Sequence, residues 1–330
     1  MTERERRASM SDVAALAGVS GQTVSRVVNG AGNVTDATRE RVEAAMTRLG
    51  YRPHAAARAL RTGRTLSLGV VVTTLSTVGN SLMLESLTAT AADSGYSLVL
   101  ALVDPTDPAS FAAAIETLTD REVDGAVVVN EASRFAVALA EPPALRLVLV
   151  DADDDRFDTV SSDHEAGAHA VTAHLIAASG APVHHVAGPD GSFAAESRTA
   201  GWRRAHAEAE LEPPALLRGD WTAESGAALG GLLAGSSDVR AVFCANDQTA
   251  LGVMSALHEA GRAIPEEVMV AGFDGTADAA RFWPALTTVA QDFRGLARVA
   301  TAILAAEEPA GPARHVVLPV HLLARASTRR

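Results

Sequence analysis

Several apolar runs in this sequence end on side chains that handle hydroxyl groups. Asp151 closes "LRLVLVD", Asn246 and Asp247 follow "RAVFCA", and Asp274 closes "VMVAGFD". Asn130 closes "DGAVVVN", and Asp220 with Trp221 closes "ALLRGDW". Carboxylates and amides exchange hydrogen bonds with vicinal hydroxyls, and an indole face covers the C–H face of a sugar ring. Taken singly, each is a helix cap or turn residue; gathered on one rim, they suit a polyol. A different chemistry sits near the N-terminus, in "GVSGQTVSRVVNG". Gln22 and Arg26 are of the two types that pair bidentately with adenine and guanine edges. Ser20, Thr23, Ser25 and Asn29 suit phosphate oxygens.

The N-terminal spacing predicts three helices to hold that second set. Ser9, three residues before Asp12, reads as a capping box opening a helix over Met10–Ala17, with Val13, Leu16 and Ala17 on one face. Gly18 turns the chain. Ser20 caps a second helix over 21–29 that buries Val24, Val27 and Val28 and leaves the polar residues outside. Thr35 caps a third helix over Asp36–Leu49, ended by Gly50, whose Val42, Ala45, Met46 and Leu49 close a small core. Two short helices across a three-residue turn containing glycine form a helix-turn-helix. After Pro53, residues 54–60 read as a helix too short to be stable alone, hence an interdomain linker. Its apolar Leu60, among Arg58, Arg61 and Arg64, also suits a wedge between minor-groove base steps.

From Leu66 onward, strand-like runs alternate with helical patterns. The runs are "LSLGVVVT", "SLVLALV", "DGAVVVN", "LRLVLVD", "VHHVAG", "ALLRGD", "RAVFCAN" and "VMVAGFD". Between them lie "FAAAIETLTD", "HEAGAHAVTAHLIAAS" and "DQTALGVMSALHEAG". Near-continuous apolar strands separated by helices predict buried parallel sheets, here in two α/β subdomains. Ligands of such sheets bind beyond the carboxyl ends of the strands, where the hydroxyl-handling side chains stand.

Composition narrows the function classes. A chain of 330 residues holds two or three folding units. Its net charge of −12 is unevenly placed: residues 1–65 carry 11 Arg against 6 acidic residues, and residues 66–330 carry 17 Arg against 34. A head of +5 on a body of −17 suggests a nucleic-acid module on a body with another task. Salt shortens the reach of the body's charge to about 8 Å, so only the head needs to meet DNA. One cysteine, Cys244, excludes a disulfide framework. The N-terminus has no apolar signal segment, and no run approaches the ~18 residues of a membrane helix, so a cytoplasmic protein without a membrane partner is expected. His164, His169 and His174 recur every five residues and scatter round a helix, while His184 and His185 face opposite sides of a strand. No metal, cofactor or catalytic arrangement is therefore expected.

At this point a resemblance enters. "DVAALAGVSGQTVSRVVNGAGNVTDATRERVEAAMTRLGYRPHAAARAL" resembles the head and hinge of the lactose-repressor (LacI/GalR) family of bacterial transcription regulators. "RGDW", "CANDQTALGVM", "FDGT" and "LTTVAQDFR" carry the similarity on toward Leu323. It implies an all-α helix-turn-helix head over 1–53, a hinge helix and linker over 54–65, and an effector-binding and dimerisation domain over 66–330. That last part is implied to be an α/β periplasmic-binding-protein-like body of two doubly wound subdomains, between which the chain crosses three times. The N-lobe is expected at about 66–162 and 292–321, and the C-lobe at about 163–291 and 322–330. The resemblance further implies a homodimer on a palindromic operator, with Ala57 and Leu60 of the hinge at its centre. A small-molecule effector is implied at Asp151, Arg198, Trp221, Asn246, Asp274 and Gln291.

Two positions depart from the family's namesake. Gly21 stands where it has a bulky aromatic at the start of the recognition helix, and Ser162 stands where it has an aromatic in the effector pocket. Trp221 with Asp151 favours a sugar over a purine, for which more aromatics are expected. The expected function is a repressor released from its operator by a mono- or disaccharide. The alternatives are the same fold tightened on DNA by a corepressor such as a purine, and a cytoplasmic sugar-binding protein with no regulatory role. The tail "LARASTRR" has no leucine heptads, so a dimer is expected rather than a tetramer.

Overall fold

Ser9 starts the first helix by a reciprocal exchange. Its hydroxyl accepts from Asp12 N at 3.3 Å, while Ser9 N donates to Asp12 Oδ2 at 2.8 Å. The result, in a computed structural model that describes residues 8–28, 33–51, 63–306 and 311–329, is α1, Met10–Ala17. Gly18 ends it at φ 64°, a left-handed conformation natural to glycine. Ser20 Oγ accepts from Thr23 N at 3.2 Å and opens α2, Gly21–Val28. Thr35 precedes α3, Asp36–Leu49, but its hydroxyl meets that of Thr38 at 2.9 Å and makes no capping bond to the backbone. Val13, Ala14, Ala17, Val24, Val27, Val42 and Ala45 form the core of this unit. Leu16 is a correction to the expected face: it is 41% exposed, and Ala14 is buried instead. The unit spans Met1–Thr65, and a second spans Leu66–Arg330.

The second unit is built on two six-stranded sheets. In the first, β1 (Ser67–Val72), β2 (Ser97–Leu102), β3 (Ala126–Val128), β4 (Leu147–Val150), β5 (Asp158–Ser162) and β11 (His315–Leu318) run parallel in the order β11-β5-β4-β3-β1-β2. The second holds β6 (His184–Ala187), β7 (Leu217–Arg218), β8 (Ala241–Cys244), β9 (Met269–Asp274), β10 (Thr287–Ala290) and β12 (His321–Leu323), in the order β12-β10-β9-β8-β6-β7. There only β12 is antiparallel. The chain passes from the first sheet to the second after β5, returns after β10, and leaves again after β11. His321 already pairs with Ala290, so the second lobe resumes one residue before the expected 322.

Helices cover both faces of each sheet, as parallel strands require. Alternate residues of β1 divide the first lobe's core. Leu68, Val70 and Val72 meet α4 (Val78–Asp93) and α11 (Phe293–Ala305) through Met83, Leu87, Leu296 and Ala300. Val71 faces Phe111 and Leu118 of α5 (Pro108–Asp120), with Phe135 of α6 (Ser133–Val137) in the same layer. In the second lobe, α7 (His164–Ser179) and α8 (Phe193–Glu208) pack one face around Trp202, Leu175 and Phe243. The other face takes α9 (Ala223–Ala234) and α10 (Asp247–Glu259), through Leu233, Val253 and Leu257. Strand β2 departs from the buried expectation: as the edge strand it leaves Leu100 40% and Leu102 60% exposed.

Helices α9 and α10 approach so closely that a side chain cannot fit between their backbones. A Cβ on Gly252 would lie 1.9 Å from the Ala223 carbonyl oxygen, and one on Gly226 2.2 Å from that of Thr249. Gly231, in the same pair, has open space around it. Gly252→Ala should therefore destabilise by about 1–3 kcal/mol in urea unfolding. Gly231→Ala should be neutral or stabilise by up to about 1 kcal/mol, since it only removes a flexible residue from a helix. Equal effects of the two would refute the packing argument.

Candidate functional site

A cleft opens between the carboxyl ends of the two sheets. Asp151, Arg198, Trp221, Asn246, Asp274 and Gln291 all line it, beside Thr77, Asn80, Asn130, Glu131 and Phe293. Asp151 follows β4, Asp274 ends β9, and Gln291 follows β10, so parallel strands aim these side chains from both lobes. Trp221 closes the turn between β7 and α9. Arg198 comes from the middle of α8.

Arg198 organises this cleft. It is 4% exposed, and its guanidinium donates to the Ala245 carbonyl, to Asp274 Oδ1 at 3.5 Å and to His164 Nδ1 at 3.3 and 3.4 Å. It lies 3.9 Å over the Phe273 ring and 5.4 Å from that of Trp221, both within cation–π range. A guanidinium only donates, so His164 Nδ1 must accept and the proton must sit on Nε2. Nε2 then donates to Asp151 Oδ1 at 2.8 Å. On the other side, Gln291 Nε2 donates to Asp274 Oδ1 at 2.8 Å. One continuous chain thus runs Asp151–His164–Arg198–Asp274–Gln291 and joins the lobes. Desolvation lowers the Arg198 pKa, against the pull of Asp274, Asp151, Glu131 and Asp247. Burial pushes Asp274 up to about 7, although Arg198 and the Gln291 amide favour its charged form.

Other members combine duties. Asn246 caps α10, accepting from Thr249 N at 2.8 Å, and its amide donates to the Trp221 carbonyl at 3.1 Å. Asp247 lies beneath the cleft and binds Thr276 and Thr288, and burial raises its pKa to about 6. Glu131 Oε1 reaches from the first lobe to Trp221 Nε1 at 2.8 Å and Ser192 Oγ at 3.3 Å in the second. Val78 N donates across the same gap to Gln248 Oε1 at 3.3 Å. Asn130, Asp151, Trp221 and Asp274 all have positive φ, at 50°, 53°, 74° and 102°. Strain of this kind, about 1–3 kcal/mol per residue, gathers at functional sites.

Sequence reasoning missed Glu131 and His164. Glu131 is the residue after Asn130, so the strand-end rule needed one more step. His164 was weighed only as a metal ligand. The three histidines of α7 in fact have separate partners, Asp151, Glu208 and Thr328. No group of three or more metal-ligating side chains occurs among the described residues. Ser162 is buried, does not line the cleft, and its hydroxyl has no partner among the described residues. Cys244 is fully buried, and its thiol pKa is raised by that burial.

In the first unit, Ser20, Gln22 and Arg26 are exposed, while Thr23 and Ser25 are half-buried. Gln22 and Arg26 stand one turn apart on α2, on the face opposite Val24 and Val27. Gly21 is exposed with open space about it, so this helix begins with a bare backbone. Asn29, Ala57 and Leu60 lie outside the described residues.

A helix-turn-helix unit joined to a two-lobed α/β body with an interlobe cleft defines a class of DNA-binding regulator. Residues 9–54 match the bacterial regulatory proteins of the lacI family, and residues 172–328 match the periplasmic binding protein-like domain. The chain is similar to the lactose operon repressor of Escherichia coli strain K12, with 34% identity over 96% of this chain and 89% of that protein. It is also 34% identical to the transcriptional repressor PurR of Haemophilus influenzae strain PittEE, over 90% of each. Among solved structures, the lac repressor dimer bound to operator and the anti-inducer ONPF superposes with a TM-score of 0.83 and 31% identity, covering 98% of this chain and 99% of that one. The chain therefore belongs to the LacI family of bacterial regulatory proteins.

The raised pKa of Asp274 sets the sign of a pH effect. Between the ordinary 3.8 and about 7, the folded state keeps a proton that the unfolded state gives up. Stability from this group is thus present at low pH and lost as pH rises through that window. Unfolding measured from about pH 5 to about pH 8 should show wild type losing stability relative to Asp274→Asn. Parallel curves would contradict the assignment.

Proposed function

We propose that this chain is a sugar-responsive, sequence-specific DNA-binding repressor that acts as a cytoplasmic homodimer on a palindromic operator. The observation that carries the reading is that Asp151, Arg198, Trp221, Asn246, Asp274 and Gln291 meet in one interlobe cleft. Carboxylates, amides and a guanidinium around an indole suit vicinal hydroxyls on a ring. Purines suit stacked aromatics, and among the described residues lining the cleft Trp221 and Phe293 alone supply them. Two α2 helices read half-sites about 34–36 Å apart, one helical turn of DNA. The hinge over 54–65 carries Ala57 and Leu60, and Leu60 wedges into the minor groove at the operator's centre. Sugar drawn between the lobes shifts the first lobes of the dimer, the hinge helices lose their mutual packing, and the operator is released. In support of the dimer, the second unit exposes Leu100, Leu102, Leu251 and Trp283.

The test uses an operator selected from random palindromic DNA, titrated with sugars and with purines. A mono- or disaccharide should weaken operator binding by about 5–150-fold. No response to any sugar, with a purine that tightens binding, would replace this reading with the corepressor one. Within the head, Arg26→Ala should cost about 1–3 kcal/mol on the selected site and relax specificity at one base pair. Unchanged affinity and specificity would remove Arg26 from base readout.

A further inference from the structure

The charges around the cleft do not balance. Its lining carries three carboxylates, Glu131, Asp151 and Asp274, against one cation, Arg198. That cation already donates to the Ala245 carbonyl, His164 and Asp274. Glu131 feels the Arg198 charge across the cleft but has no cation within ion-pair distance among the described residues. Its Oε1 takes both available donors, the Trp221 indole and the Ser192 hydroxyl, and Oε2 accepts no hydrogen bond among the described residues. Asp151, 8% exposed and lining the cleft, likewise gives Oδ1 to His164, and its Oδ2 accepts no hydrogen bond among the described residues. A proton on Asp274 still leaves two carboxylates against one guanidinium.

A neutral polyol would leave this excess in place. A ligand with an ammonium group would remove it, by charge-assisted hydrogen bonds to open carboxylate oxygens. Position supports Glu131 as the acceptor. It is bonded to the edge of the Trp221 indole, so a sugar ring laid on that indole face carries its substituents past the carboxylate. The indole face itself attracts cations. Resting on the reading of the cleft as an effector site, we infer that the effector is an amino sugar whose ammonium is held by Glu131, with its hydroxyls toward Asp151, Arg198 and Asp274. Glu131 is then the residue that selects this class.

The experiment is calorimetric titration of the full chain near neutral pH. Glucosamine, galactosamine and mannosamine are each compared with the parent hydroxy sugar and with the N-acetyl form. At least one amino sugar should bind about tenfold or more tightly than both its counterparts, and Glu131→Gln should reduce that preference below about threefold. Neutral sugars binding as well as amino sugars, or a preference that survives in Glu131→Gln, overturns the amino-sugar assignment and leaves the sugar reading standing. No binding by any of these sugars overturns the amino-sugar assignment, and the sugar reading itself falls only if the operator titration with mono- and disaccharides also shows no response. The wild-type comparison decides the matter even where the variant fails to fold.

Discussion

A buried guanidinium stands at the centre of the hydrogen-bond network in the interlobe cleft. Arg198 is out of water, and removing one partner of a buried ion pair generally costs about 3–5 kcal/mol because the other charge is left unsolvated. Its surroundings answer that demand at every position: a carboxylate, a histidine lone pair, a backbone carbonyl and two aromatic faces. The partners come from different elements, β9, the start of α7 and the end of β8. Through His164 the constraint extends to Asp151 at the end of β4, in the other lobe. One side chain's need for solvation thus joins the Glu131–Trp221 and Val78–Gln248 bonds in fixing the two sheets relative to each other.

Backbone strain supports the same centre. Four of the cleft's residues hold left-handed conformations without being glycine. Each is bent where a strand or turn delivers its side chain into the cleft. The sheets supply the rigidity that keeps these bends: their central strands are buried on both faces, and α9 and α10 are locked at backbone contact. A fluid scaffold would relax the bends and turn the side chains away.

Much of this was legible in the sequence. The eight apolar runs all became strands: six are central and apolar because both faces are covered, while β2 and β7 lie at the sheet edges and are only partly buried. Strands β5, β10, β11 and β12 were not among them: "DTVSS" and "TTVA" are short and hydroxyl-rich, and the last two are half exposed. The strand-end rule picked out Asp151, Trp221, Asn246 and Asp274. Arg198 and Gln291 needed the family resemblance, since one lies mid-helix and the other in "AQD", with no local signal. His164 was beyond sequence reasoning for a different reason: its role depends on meeting Asp151 and Arg198 in space. Leu16 failed as a core residue because a three-helix unit this small has room for Ala14 in its place.

Asn246 holds the start of α10 with one side-chain atom and the Trp221 backbone with another. Any drift toward a new ligand must leave that residue alone, on pain of losing a helix start and the bend that presents the indole. Glu131 bears no such burden: it caps nothing and supports no strand. Diversification of this wall is consequently channelled to Glu131 before Asn246, and before the strained, bonded Asp151 and Asn130 beside it.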